Sequence, residues 1–129
     1  CNIALETQPA NSPDTNILDL TIFRAMQSRQ WDHGYAKTVN QLIEQVTVAY
    51  DEFPPSKIED GFLTHQSCLN EILESHGGNF YKIPHLGKEG LRREGNLPLR
   101  IKVSETAMMI AQQVMPEVMP EVMPEVNEN

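Results

Sequence analysis

The chain has few cysteines, no long apolar run and no basic leader, and each absence excludes a class of protein. Its 129 residues contain two cysteines, Cys1 and Cys68, too few for a disulfide framework or a four-cysteine zinc site. No stretch approaches the roughly 20 consecutive apolar residues of a membrane-spanning helix. The first ten residues carry no lysine or arginine, unlike a secretory signal. We therefore expect one intracellular domain in a reducing compartment, and we read the initial Cys1 as the mark of a fragment or processed product.

Charge is distributed unevenly along the chain. The net charge of −8, from 18 acidic and 10 basic residues, argues against a protein that binds nucleic acid over its whole surface. Residues 82–102 nevertheless hold six basic residues against two acidic ones. This basic strip consists of Lys82, Lys88, Arg92, Arg93, Arg100 and Lys102. Contact with DNA phosphates requires charge but no base code, so these six are candidate DNA-backbone contacts. A solvated connector is the alternative, because short basic runs are common.

The hydrophobic periodicity predicts a mostly helical chain after a short strand over residues 2–7. Predicted helices span 16–29, 37–53, 57–76, 88–94 and 103–114. The first is apolar on all sides, which predicts burial. Capping boxes at Thr38 with Gln41 and at Ser56 with Glu59 predict the starts of the next two, and Gly77-Gly78 predicts an end. We expect the second and third helices to pack through apolar stripes: Val39, Leu42, Ile43, Val46, Tyr50 and Phe53, then Ile58, Phe62, His65, Leu69, Ile72 and His76.

The sequence V-M-P-E occurs three times from Val114 to Glu125. Proline at every fourth position is incompatible with a helix, because each interior proline costs about 3 kcal/mol. We expect an extended, acidic and mostly disordered tail over residues 114–129. A docking segment and a tandem duplication without function are the two interpretations.

The segment from Ser12 to Asp19 presents one carboxylate at the start of a helix. With Asn16 as the N-cap, Asp19 is the third helical residue, where the positive end of the helix dipole favours an ionised carboxylate by about 0.3–1 kcal/mol. An ionised carboxylate beside apolar groups is a suitable ligand for Mg²⁺, a hard cation that prefers oxygen. A simple helix cap is the alternative, since acidic residues are enriched in first turns.

The block Q-P-A-N-S-P-D-T-N-I-L-D-L-T-I-F-R-A-M-Q-S resembles the region of the third catalytic acid in mariner-like transposases of the DDE superfamily. Similarity extends through A-K-T-V-N-Q-L-I-E-Q-V, F-L-T-H-Q-S-C-L-N-E-I-L and G-G-N-F-Y-K-I-P-H-L-G-K-E-G-L-R-R-E-G-N-L-P, and covers residues 1–102. The resemblance implies that Asp19 is the catalytic, metal-binding acid. The motif loop of Ser12, Pro13, Asp14 and Asn16 would precede it, with Asp14 shaping the loop.

The resemblance also implies a fold and an activity. Residues 1–35 would end a ribonuclease H-like α/β catalytic domain, and residues 36–113 would form a helical C-terminal region. The parent enzyme would cleave and join DNA at transposon ends in the nucleus, by phosphoryl transfer with two Mg²⁺ or Mn²⁺ ions. DNA would be the partner, and self-association would be a second kind of interaction. Neither a membrane nor a small-molecule cofactor would be involved.

This chain departs from the family pattern in ways that bear on activity. Ala10 and Thr21 stand where the family commonly has proline and glycine, which indicates drift in an old copy. The family's first two catalytic aspartates lie upstream of this sequence. We therefore expect the chain alone to be inactive and to bind neither Mg²⁺ nor Mn²⁺ tightly. The alternative is a non-catalytic protein- or DNA-interaction module from a decayed transposon. His65, Cys68 and His76 are candidate zinc ligands on one helix, but a fourth ligand is not apparent, so we favour satisfied or partly exposed histidines.

Overall fold

The computed structural model describes residues 7–114, and helices make up most of this part of the chain. A 3₁₀ turn at Pro13–Thr15 precedes one turn of π-helix at Leu18–Ile22, which continues directly into the first α-helix. The α-helices are α1 (Phe23–Asp32), α2 (Val39–Asp51), α3 (Pro55–Glu74), α4 (Lys88–Arg93) and α5 (Glu105–Val114). The mostly helical prediction is therefore confirmed, and no strand occurs between residues 7 and 114. The strand predicted over 2–7 and the tail predicted over 114–129 lie outside the described residues, except for Thr7 and for Val114, which ends α5.

The cap predicted for α2 is confirmed, whereas the one predicted for α3 is wrong. The Thr38 hydroxyl accepts a hydrogen bond from the Gln41 backbone N–H at 3.2 Å, and the Gln41 side chain accepts one from the Lys37 N–H at 2.9 Å. In contrast, α3 begins at Pro55, so Ser56 lies inside the helix rather than before it. Proline is well suited to a first helical position, because its φ is already helical and its missing N–H has no partner there.

The C-terminal end of α3 also differs from the prediction. His76, not a glycine, is the first residue with a left-handed backbone, at φ 53°, and Gly77 follows at φ 84°. The Gly77 N–H donates to the Ile72 carbonyl at 2.8 Å, and the His76 N–H donates to the Leu73 carbonyl at 3.0 Å. This pair of bonds is a Schellman motif, which satisfies carbonyls that the helix itself leaves without partners.

α3 is the central helix; apart from Leu63 the residues that it buries are small, and none of them belongs to its predicted apolar stripe. It contacts the 3₁₀ turn, the π-helical turn and α5. Its buried residues include Gly61, Thr64, Ser67 and Cys68, and α5 contributes the buried Ala107 and Ala111. The predicted stripe residues Ile58, Phe62 and Leu69 are exposed instead. Small side chains allow the backbones of neighbouring helices to approach closely, and these three apolar side chains of the stripe are left on the outside.

This packing also leaves an open apolar surface on the π-helical turn, α1, α2 and α3. The first helix is not enclosed as predicted, since Leu18 is 44% exposed and Phe23 is 55% exposed. In α2 the predicted stripe is exposed at Val46 and Tyr50, and only Ala49 is buried in that helix. Together with Phe62 of α3, these side chains form what we call the apolar face: Leu18, Phe23, Val46, Tyr50 and Phe62. Within residues 7–114, no helix has the length and apolar character needed to cross a membrane.

Candidate functional site

The loop before α1 is built by short-range hydrogen bonds from Ser12 to Asn16. Pro13 opens the 3₁₀ turn, and the backbone N–H and hydroxyl of Thr15 both donate to the Ser12 carbonyl, at 3.1 and 2.8 Å. Asn16 then has an extended backbone, and its side-chain oxygen accepts a bond from the Leu18 N–H at 3.0 Å. This is the N-cap geometry predicted from the sequence.

Asp19 follows from this cap as the third residue of the helical segment, and its side chain is exposed. The first turn of a helix directs free N–H groups and the positive dipole end toward the preceding loop, which favours a carboxylate there. The turn that carries Asp19 is π-helical, with the Phe23 N–H donating to the Leu18 carbonyl. Single π-helical turns inside α-helices are frequent at functional sites. The structure thus presents the Asp19 carboxylate to solvent from a well-defined helix start.

The motif loop is also held by side chains from distant parts of the chain. The Tyr81 hydroxyl donates to the Asp14 carboxylate, across 67 positions of sequence. His65 of α3 donates from Nε2 to the Thr15 carbonyl at 3.0 Å, since a carbonyl oxygen can only accept. Sequence reasoning missed Tyr81 in this role, because nothing local to it indicates a partner so far away.

The same helix α3 meets the π-helical turn at very short range. A Cβ atom added at Gly61 would lie 2.6 Å from the Thr21 hydroxyl oxygen and 3.4 Å from the Ile17 side chain. Thr21 in turn donates to the Ile17 carbonyl at 3.1 Å, so its hydroxyl is fixed. Glycine at position 61 is therefore what allows the helix start that carries Asp19 to rest directly on α3.

Cys68 and His65 do not form a metal site with their surroundings. The Cys68 side chain is completely buried, and burial raises the pKa of its thiol, with a further contribution from the negative charge of Asp14. His65 is occupied by the Thr15 carbonyl. Among the described residues, no group of three or more histidine, cysteine or acidic side chains could hold a metal ion. Asp19 accordingly belongs to no such group in this part of the chain.

Two members of the basic strip are directed at α3 rather than at solvent. The Lys88 ammonium donates to the Thr64 hydroxyl at 2.6 Å. The Arg92 guanidinium forms an ion pair with Asp60 at 2.6 Å, and this hydrogen bond raises the pKa of Arg92. Glu59 is a second, more distant acidic partner at 3.7 Å. These two cations therefore fasten α4 to α3, and their role is explained without DNA.

The other four members of the strip are exposed: Lys82, Arg93, Arg100 and Lys102. The last two lie on the segment between α4 and α5, which α3 holds in place through side chains four residues apart. Gln66 accepts a hydrogen bond from the Ile101 N–H at 2.7 Å, and Asn70 donates to the Lys102 carbonyl at 2.9 Å. Further along, Glu74 accepts a bond from the Ser104 hydroxyl. The four-residue spacing of Gln66, Asn70 and Glu74 can be read from the sequence, but the residues that they bind cannot.

Comparisons of the chain with protein-family models, with curated proteins and with solved structures find no match. The mariner-like resemblance therefore rests on the sequence blocks quoted above.

Proposed function

We propose that this chain corresponds to the C-terminal part of a mariner-like DDE transposase and supplies the last acid of its active site. The observation that carries the proposal is the placement of Asp19, exposed in the first turn of a helix that Asn16 caps. In the parent, which would act in the nucleus, a ribonuclease H-like domain would cleave and join DNA at transposon ends. Asp19 would contribute one oxygen ligand to the metal ions of that reaction.

The described residues do not by themselves fit the two-ion site of such an enzyme. Two-metal phosphoryl transfer requires several carboxylates that clamp ions about 3.5–4 Å apart. Here Asp19 is a single carboxylate, and no cluster of potential ligands occurs in residues 7–114. Mg²⁺ retains its water ligands unless several oxygens are preorganised. The role proposed for this chain is thus to orient one acid and to hold DNA, and the other acids belong to the parent.

With Lys88 and Arg92 bound to α3, the proposed DNA contact consists of the four exposed cations of the basic strip. Arg93 lies on α4, whereas Arg100 and Lys102 lie on the segment that Gln66 and Asn70 hold against α3. Cations on a fixed backbone lose less freedom when they meet a phosphate than cations on a free chain. We expect weak, sequence-independent and salt-sensitive binding, because released counterions drive it.

The test measures the affinity of alanine variants for labelled duplex DNA by fluorescence anisotropy at several salt concentrations. Arg100→Ala with Lys102→Ala should lower affinity equally for unrelated sequences and reduce the slope of log K against log salt by about 2. Lys57→Ala, an exposed cation of α3 outside the strip, is the matched control and should leave the slope unchanged. Binding with an unchanged slope in the double variant would contradict the assignment.

A second candidate function, a non-catalytic interaction module, is favoured by the apolar face. Two hollows of about 500 and 450 Å³ share Met26, and members of the apolar face line both. Large exposed apolar surfaces are typical of interfaces. We propose a second copy of this chain as the partner. Sedimentation velocity over a range of concentrations should then show a dimer that Phe62→Glu dissociates, and a concentration-independent monomer would contradict this candidate.

A further inference from the structure

The turn between α1 and α2 forms a hollow of about 420 Å³ that none of the features above uses. Its shape is fixed by hydrogen bonds from Gln45 of α2. The Gln45 amide donates to the His33 and Gly34 carbonyls, at 3.3 and 3.4 Å, and its oxygen accepts a bond from the Gln30 side chain at 2.8 Å. Gly34 has φ +87°, which favours glycine, and so the chain can reverse tightly here.

Two aromatic rings and one cation border this hollow. Trp31 is 67% exposed and Tyr35 is 92% exposed, which is unusual for side chains with so much apolar area. Lys37 also lines the hollow, and none of the hollow's lining residues is acidic, in a chain with 18 acidic residues. The adjoining hollow, which shares Tyr35 and Lys37, does include Glu44. The pairing of open aromatic rings with a lysine matches a ligand that has both a flat ring and a negative charge.

The hollow lies on the same helical segment as Asp19. Trp31 is twelve positions after Asp19 in an uninterrupted run of helix, which corresponds to roughly 18 Å along the axis. This length equals about five nucleotides of one strand at 3.4 Å each. A DNA strand that passes Asp19 along this helix would therefore reach the hollow a few nucleotides away.

We infer that the hollow between Trp31 and Tyr35 binds an unstacked nucleobase of single-stranded DNA, while Lys37 contacts a neighbouring phosphate. This inference rests on the proposed function, because it assigns a further contact to the same DNA. Every base has a flat face, so stacking on an aromatic ring tolerates any sequence. The hollow would hold a displaced or melted strand and would leave duplex contacts to the basic strip.

The test uses the full chain and the fluorescence of Trp31, which is its only tryptophan. A twelve-nucleotide oligothymidylate and a duplex of equal length are titrated separately, and anisotropy of labelled DNA measures total binding in parallel. We expect the single strand to quench Trp31 emission more than the duplex does. Tyr35→Ala should weaken oligothymidylate binding by about tenfold and leave duplex binding within twofold, because stacking on one ring contributes on this scale.

Phe80→Ala is the matched control, since Phe80 is a fully exposed aromatic residue outside both the hollow and the apolar face, and it should leave both affinities unchanged. Because Tyr35 is almost fully exposed, its substitution should not alter the circular dichroism spectrum. If anisotropy shows binding of both DNAs while Trp31 emission and the Tyr35→Ala affinity stay unchanged, the hollow is not a base site and the proposed function stands. If neither DNA binds, both proposals are overturned.

Discussion

Gly61→Ala tests the contact that places the candidate catalytic helix on α3. The new Cβ would lie 2.6 Å from the Thr21 hydroxyl oxygen, closer than non-bonded atoms can approach, and 3.4 Å from the Ile17 side chain. Thr21 cannot turn its hydroxyl away freely, because that group donates to the Ile17 carbonyl at 3.1 Å. The substitution therefore forces the π-helical turn and α3 apart.

Two opposing terms set the magnitude. Overpacking of a closely packed contact costs typically about 1–3 kcal/mol. Alanine in a helix interior is more favourable than glycine by roughly 1 kcal/mol, which offsets part of that cost. We expect a net loss of about 1 kcal/mol in the free energy of unfolding, which lowers the Tm of a domain of this size by several degrees.

Urea and thermal denaturation followed by circular dichroism measure this loss. Gly90→Ala is the matched control, because Gly90 lies in α4 and nothing lies within 4 Å of a Cβ added there. It should stabilise the chain by about 0.4–1 kcal/mol, through the lower entropy of the unfolded state.

A double-mutant cycle then isolates the clash. Thr21→Ala removes the hydroxyl, so Gly61→Ala should cost little or become stabilising in that background. If Gly61→Ala is as stable as the parent chain, or if its effect is the same with alanine at position 21, the close approach described here is refuted.

Three further predictions concern the site. Burial raises the pKa of Cys68, so the folded state keeps this proton to a higher pH than the unfolded chain. The free energy of unfolding should then fall as pH rises above about 8.5, and it should fall less steeply in Cys68→Ala. If denaturation shows the same change of this free energy with pH in both proteins, the prediction is contradicted. Tyr81→Phe should accelerate hydrogen exchange at residues 12–16 and leave α2 unchanged, because it releases Asp14; unchanged exchange in the loop would show that the bond does not hold it. Asp19→Asn should lower stability by less than about 1 kcal/mol. In an intact active relative, the equivalent change should abolish cleavage and leave DNA binding intact. The present chain should not nick DNA with Mg²⁺ or Mn²⁺. If the asparagine variant of the relative cleaves DNA, Asp19 is only a helix cap.

The start of the candidate helix shows how much the sequence can predict about this site. Asn16 as N-cap and Asp19 as the third helical residue both follow from neighbours within a few positions, and the structure has both. The ties of Asp14 to Tyr81 and of Thr15 to His65 could not be predicted, because they join residues 67 and 50 positions apart.

The basic strip shows the same limit. Composition identified six cations, but not which of them face outward. Arg92 meets Asp60, 32 positions away, whereas Arg93 beside it remains exposed. Neighbouring residues on a helix point in different directions, so the partner helix decides which cation remains available to a ligand.

The sequence by itself determined where most helices lie, because turns, prolines and caps act over a few residues. It also determined that α2 and α3 carry apolar stripes. Only the tertiary structure decided which face each helix buries. α3 buries Gly61, Leu63, Thr64 and Cys68, whereas the apolar side chains of Ile58 and Phe62 are exposed. A hydrophobic pattern gives the direction of an apolar face but not its partner, and small residues let two backbones meet at distances that large side chains prevent.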